Sequence, residues 1–279
     1  MPLFVVSTPI GNLGDLSHRA VETLRAADVV LAEDTRRTSI LLRHFEIGTR
    51  LLSAHEHNEA ARASTVVEML REGKQVALVS DAGTPLLSDP GARIVREVVA
   101  AGFDVVPIPG ASALLAALVA SGIAADTFTF LGFPPRKGPE RAELLEEIAA
   151  SPRAAVLYES PNRVAKLLAD LAEACGPERR VAVARELTKM HEEIVRGTLA
   201  EAATHFAGRE VLGEIVVVVE GRSTDTVAEE AVDELAAESL AKALLAQGQS
   251  PSAVAKELRR RLGISRNDAY RIAQESSEG

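Results

Sequence analysis

Three segments of this chain hold the residue types from which a binding or catalytic site can be built, and each follows a short apolar run. The longest is Ser80-Asp81-Ala82-Gly83-Thr84-Pro85-Leu86-Leu87-Ser88-Asp89-Pro90-Gly91, after the run Gln75–Ser80. It joins two carboxylates and three hydroxyls to small residues and two prolines. Such a loop is stiff and presents amides and carbonyls, a costly arrangement unless it binds something. The second is Ser7-Thr8-Pro9-Ile10-Gly11-Asn12-Leu13-Gly14-Asp15, after Leu3–Ser7. Gly11 and Gly14 permit close backbone approach. Pro9 breaks the G-x-G-x-x-G pattern and no Gly-Lys-Ser/Thr follows, so neither the nicotinamide fingerprint nor the Walker A loop is present. The third is Pro107-Ile108-Pro109-Gly110-Ala111-Ser112-Ala113. It leads into an apolar helix whose first amides can hold a polar or anionic group, or be capped by Ser112 itself.

Two clusters add titratable groups. Glu33-Asp34-Thr35-Arg36-Arg37 closes one strand pattern and His55-Glu56-His57-Asn58-Glu59 closes another. Alternate strand positions would put His55 and His57 on one side, where Asp34 or Asp81 could complete a metal pair. The blander reading is that these charges cap helices and pair with one another, and no metal is expected. Tyr158-Glu159-Ser160-Pro161-Asn162-Arg163 and Arg185-Glu186-Leu187-Thr188-Lys189 hold similar strand-end positions in the second half and could close a cleft.

The elements that must position these loops alternate between strand and helix patterns. Strands are expected over Leu3–Ser7, Val29–Ala32, Leu51–Ala54, Gln75–Ser80 and Asp104–Ile108. Helices are expected from His18 with Ser17 as cap, and over Thr38–Phe45, Glu59–Arg71, Ile94–Ala101 and Ser112–Ser121. Repeated βα units of this length imply a largely parallel sheet covered on its faces. A second series runs Phe128–Leu131, Ala154–Tyr158, Val181–Ala184, Glu193–Gly197 and Glu214–Glu220. Its helices fit Glu140–Ala150, Asn162–Ala174 and Leu199–Ala207, and its last strands lack long crossovers, so a mixed sheet is expected. The class is α/β: an N-terminal α/β domain over 1–122, a C-terminal α/β domain over 123–222 and a helical tail over 232–279. Gly221–Ala231 reads as a linker. The tail ends like a helix-turn-helix, with Ser250-Pro251 opening a helix, Val254, Leu258 and Leu262 on one face, Gly263 turning and a Ser265-x-x-Asp268 capping box.

Composition narrows the classes. The 279 residues are 47% apolar and 25% charged, with no Trp, which suits aliphatic cores in a globular protein. A single cysteine, Cys175, excludes an intrachain disulfide and multi-cysteine metal sites. No apolar run is long enough for a membrane span, and Met1-Pro2-Leu3-Phe4 reads as strand entry and not as a signal peptide, so a cytoplasmic location is expected. The net charge of −9 argues against a general nucleic-acid binder. Locally, Pro251–Gln274 carries six basic residues against two acidic ones, a patch that could meet RNA or simply face solvent.

Val79-Ser80-Asp81-Ala82-Gly83-Thr84-Pro85, Pro109-Gly110-Ala111-Ser112-Ala113 and Ala32-Glu33-Asp34-Thr35-Arg36 together resemble the tetrapyrrole methylase superfamily. Phe130-Leu131-Gly132-Phe133-Pro134-Pro135-Arg136-Lys137-Gly138 and Tyr158-Glu159-Ser160-Pro161 are similar to its ribosomal RNA small subunit methyltransferase I branch. The resemblance implies two α/β domains of the class III methyltransferase type, a homodimer, and S-adenosylmethionine folded into the cleft. It implies 2′-O-methylation of a decoding-centre cytidine in 16S ribosomal RNA of the assembled small subunit. The family's cofactor positions map onto Ile10, Asp81, Thr84, Ser112 and Ala113, with Tyr158 and Ala184 expected to line the same pocket. A ribose hydroxyl is a poor nucleophile, so a base or a cation should assist. Asp34, His55 and Glu59 are the candidates for base or orienting group, and Arg36 and Lys189 for holding phosphate or the developing alkoxide. Arg36, Arg37, Arg43, Arg136, Lys137 and Arg141 are expected to rim the cleft. The rival readings are a small-molecule methyltransferase of the same fold, a non-catalytic ribosome assembly factor, and a metal hydrolase on His55 and His57.

Overall fold

Five four-residue strands form the first sheet: β1 (Leu3–Val6), β2 (Val29–Ala32), β3 (Arg50–Ser53), β4 (Val76–Val79) and β5 (Val105–Ile108). The computed structural model describes every residue except 56, 125, 224–236, 247–248, 263–265 and 279. The strands lie in the order β3-β2-β4-β1-β5, and all pairs are parallel. β2 and β4 are buried along their whole length, as continuous apolar strands covered on both faces should be. Alternate residues serve opposite faces. Val6, Val30, Ala32, Ala77 and Val79 pack with α1 (His18–Ala26) and α2 (Thr35–His44). Leu3, Val29, Leu31, Val76 and Leu78 pack with α3 (Glu59–Arg71) and α4 (Ala92–Ala100).

This topology fixes where a ligand belongs. β1 feeds α1 on one face and its neighbour β4 feeds α4 on the other, so the loops that follow them diverge. The gap they leave, at the carboxyl ends of adjacent strands, is the switch point where open α/β sheets bind ligands.

The second sheet holds β6 (Phe128–Gly132), β7 (Ala154–Glu159), β8 (Arg180–Arg185), β9 (Glu193–Thr198) and β10 (Ile215–Val219), in the order β6-β7-β10-β8-β9. Only β6 and β7 are parallel, and the other pairs are antiparallel, which makes the sheet mixed. On one face lie α6 (Pro139–Ala150), α7 (Val164–Cys175) and α8 (Leu199–Phe206). On the other lies α5 (Ala113–Ser121), whose Leu114, Ala117 and Leu118 pack on Val156, Ala182, Ala184, Val216 and Val218. α5 follows the first sheet in sequence yet packs on the second, and so ties the two series together within the compact unit Met1–Gly221.

Residues Arg222–Gly279 form a separate compact unit. Helical residues 237–246 (α9), α10 (Pro251–Leu262) and α11 (Arg266–Glu278) share a small core of Ala237, Ala241, Leu244, Val254, Ala255, Leu258, Ala269 and Ile272. Leu262 is not on that buried face: it is 41% exposed, and Ala255 takes the place expected of it. Gly263 and Ser265 of the expected turn and capping box, and the linker beyond residue 223, lie outside the described residues. Element ends elsewhere move by one to three residues. The largest move is in α2, which starts at Thr35 and not Thr38 because the Asp34 side chain caps it. Among the described residues no helix is long and apolar enough to cross a membrane.

Candidate active site

Hydrogen bonds fasten the loops after β1, β4 and β5 to one another. Thr8 and Gly83 exchange both backbone bonds, at 2.9 and 3.0 Å. Ser7 Oγ lies 3.1 Å from Thr84 Oγ1, and Thr84 Oγ1 donates to the Ala111 carbonyl at 3.3 Å. Glycine makes the approach possible at Gly110, where an added Cβ would stand 3.0 Å from the Ser7 Cβ. Gly83 is left-handed at φ +79° and faces Ile10. Leu86 (φ 75°) and Ser88 (φ 67°) adopt the same region without being glycine, as do Glu186 (φ 51°) and Thr188 (φ 66°) across the cleft. Backbone strain of this kind is held in place only by surrounding structure and concentrates at functional sites.

A cavity of about 410 Å³ opens where these loops face the second sheet. Ile10, Asp81, Thr84, Ser112 and Ala113 line it from the first half, and Tyr158 lines it from the second. Tyr158 meets Phe130 edge-on at 4.9 Å and Phe133 at 5.5 Å between ring centres, so aromatic surface forms one wall. Burial pushes its phenol pKa up, against a backbone hydrogen bond at Leu114. Ala184 lies deeper: it pairs with Val216 and is buried in the apolar layer that supports Ile10 and Tyr158. Ser112 caps α5 through Leu115 N.

The cavity is acidic. Glu33, Asp81, Asp89, Glu159 and Glu214 line it against one cation, Arg37, which pairs with Asp81 at 3.3 Å. Burial, and then the neighbouring charge of Glu33, raise the Asp89 carboxyl to about 6. Burial and Asp81 raise that of Glu33 as well. Asp81 also accepts the Asp34 amide at 2.9 Å, which links the loops after β2 and β4. Glu159 is fully buried and ion-paired to Arg163 at 2.5 Å.

A second hollow of about 280 Å³ shares Ile10, Arg37, Asp81, Ala82 and Glu214 with the first, and adds Pro9, Gly11, Ile40 and Lys189. Lys189 Nζ sits between Glu186 (2.8 Å) and Glu214 (3.3 Å). Burial opposes its charge, but the Glu186 hydrogen bond and the Glu214 charge outweigh it and raise its pKa. Its stem crosses Gly11 so closely that any Cβ there would collide with it.

The other expected catalytic groups are engaged elsewhere. Asp34 caps α2 through Arg36 N, and its two oxygens are clasped by the Arg36 guanidinium at 3.0 and 2.7 Å. Those bonds hold its carboxyl down to about 2, far from the range of an effective base at neutral pH. Glu59 Oε1 accepts the amides of Gly91, Arg93 and Ile94 at 3.1, 2.6 and 3.4 Å, and so caps α4, which has no side-chain cap of its own. His55 lies just beyond the edge strand β3, with Nε2 3.2 Å from Asn58 and Nδ1 buried without a partner among the described residues. Neither His55 nor Glu59 lines either hollow. Arg141 is not on the rim: it is buried, bound to Asp170 at 2.7 Å and to the Pro135 carbonyl. Among the described residues no three His, Cys, Asp or Glu are grouped to hold a metal ion. Glu33, Asp89, Glu214 and Phe133 line the cavity without having been singled out from sequence. Glu33 and Asp89 carried a signal as acidic neighbours within the loops already noted, and Phe133 as a member of the Phe130–Gly138 motif; Glu214 stood only at the start of an expected strand.

Residues 2–203 match the family of tetrapyrrole (corrin/porphyrin) methylases. A protein of Synechocystis sp. named ribosomal RNA small subunit methyltransferase I is 43% identical over 98% of this chain and 97% of its own length. The protein of that name in Bacillus subtilis is 41% identical over 98% and 94%. The chain belongs to the ribosomal RNA small subunit methyltransferase I group of the tetrapyrrole methylases. It is therefore a methyltransferase. The crystal structure of the methyltransferase CobJ superposes with a TM-score of 0.60 at 24% identity, covering 79% of this chain and 94% of that one, and so shares the fold.

Proposed function

We propose that this methyltransferase uses S-adenosylmethionine to methylate a ribose 2′-hydroxyl, that of a decoding-centre cytidine in 16S ribosomal RNA of the assembled small subunit. The observation that carries the donor is the charge of the larger cavity: five carboxylates line it, and the cations Arg37, Arg163 and Lys189 are paired with three of them, which leaves the lining net acidic. A sulfonium that also bears an ammonium group is the ligand such a lining favours, while an anionic nucleotide would be repelled. In this reading Ile10, Thr84, Ser112 and Ala113 fit the donor's shape, Asp81 and its acidic neighbours its charge, and Tyr158 its flat surface. Ala184 supports that wall from behind.

When bound, the donor would supply a methyl carbon to the hydroxyl oxygen as its bond to sulfur breaks, leaving a neutral thioether, and the hydroxyl proton would pass to solvent water. The protein's part is alignment and charge. Two fixed partners in line account for several kcal/mol of a barrier, up to about 7–11 in the best cases. Lys189, in the smaller hollow and bonded to the shared Glu214, is the cation for the developing alkoxide. Asp34 and Arg36 act as positioning residues, through the α2 cap and the clasp on Asp34, whereas Glu59 serves the fold as the cap of α4. His55 holds the turn before α3 through Asn58.

The protein works as a cytoplasmic homodimer in this reading. Leu115 (50% exposed) and Val119 (82% exposed) form an apolar row on α5, a surface that a second copy would cover. Incubation with labelled S-adenosylmethionine and undermethylated small subunits, followed by mass mapping, tests the whole reading. Label on one cytidine ribose supports it, and label on porphyrinoids but not on RNA refutes it.

A further inference from the structure

We propose that the smaller hollow is the acceptor subsite, in which one unstacked nucleoside of the RNA lays its base against Pro9 and Ile40 and brings its ribose to the rim shared with the larger cavity. The inference rests on the reading of RNA as substrate, and it adds where on the surface the nucleotide enters.

Continuity is the first ground. The two hollows share five residues, so an atom at that rim lies within reach of both. Methyl transfer requires the acceptor oxygen to approach from the side opposite the departing sulfur, and hence an opening distinct from the one that holds the donor.

The lining is the second. Ile40, on α2, is 62% exposed although Leu41 and Leu42 beside it are buried. With Pro9 and Leu13 it gives an aliphatic surface at the mouth of a polar cleft. A base that has left its stack needs such an apolar face.

Charge is the third. The cations of the hollow, Arg37 and Lys189, are matched there by Asp81 and Glu214. The hollow is close to neutral and suits a nucleoside whose phosphates stay outside, at the exposed end of Arg37. Lys189 is held in the hollow beside the shared Glu214: Gly11 leaves room for its stem, Glu186 and Glu214 grip its ammonium group, and the turn that carries it contains the left-handed Glu186 and Thr188.

Ile40→Glu and Ile40→Lys separate this site from the donor site, because Ile40 lines the smaller hollow and not the larger cavity, and its side chain is solvent-exposed. Donor affinity by calorimetry and melting temperature should match the wild type in both. With undermethylated small subunits, Ile40→Glu should raise KM by at least about tenfold through like-charge repulsion, and filter binding of the subunits should weaken in step. Ile40→Lys should do so far less. An active wild type with Ile40→Glu unchanged in KM and subunit binding overturns the inference and leaves the RNA reading standing. A wild type that binds donor but transfers nothing to small subunits overturns the RNA reading, and this inference with it.

Discussion

Glu59 on α3 reaches across to accept the backbone amide of Arg93 at 2.6 Å, and so one carboxylate closes the first turn of a helix more than thirty residues away. A cap is a structural duty. Glu59→Ala should lower stability by about 1–2 kcal/mol while the folded fraction keeps its methyl transfer. Denaturant unfolding paired with single-turnover rates decides this. Unchanged stability with lost turnover would restore Glu59 as a chemical group.

The carboxyl of Asp89 gives the cavity a pH signature. Its pKa, raised to about 6, means that the folded state prefers the protonated form more strongly than the unfolded chain does. Its contribution to stability is therefore whole below the ordinary aspartate range and fades as pH rises through about 6. A bound cation reverses the preference, so donor affinity should tighten between pH 5 and 7, with proton release. Calorimetry in buffers of different ionisation heat measures both, and Asp89→Asn should flatten both profiles.

Thr84 is the hydroxyl that joins three loops. Thr84→Val removes its bonds to Ser7 and Ala111 at nearly constant shape. We expect the donor Kd to rise by about fivefold, the worth of roughly one neutral hydrogen bond, with little change in melting temperature. A donor Kd equal to that of the wild type would show that the loops hold without it.

Arg141 lies under the protein surface and should behave as a buried ion-pair member. Arg141→Ala leaves Asp170 with Lys166 alone and frees the Pro135 carbonyl, and should destabilise by about 1.5–3 kcal/mol, whereas the salt dependence of subunit binding should not change. The exposed Arg136 and Lys137, replaced together by Gln, should instead flatten that salt dependence. A filter-binding series in KCl distinguishes the two classes of basic residue.

Much of this architecture is readable in the residues themselves. The strands are apolar runs, and Ser17 and Ser112 announce their helices, because capping and burial are local rules. The loop from Ser80 to Gly91 stands out because no helix or strand would tolerate its composition. What sequence does not show is where a charge goes. At a strand end, a carboxylate that caps a helix and one that faces a ligand look alike, and only the path of the chain separates Glu59 from Asp89. Glu214 and Phe133 join the cavity from the second sheet, through contacts far apart in sequence. Leu262 fits the helical period but stays 41% exposed, since periodicity states a face and not the extent of its partner.

The paired bonds between Thr8 and Gly83 make the crossover loops a single preassembled rim. Ordering those turns is then a loss of entropy borne during folding and not at the moment of capture. Donor association should accordingly be fast and close to lock-and-key on this side of the pocket, with any slow adjustment confined to the opposite wall.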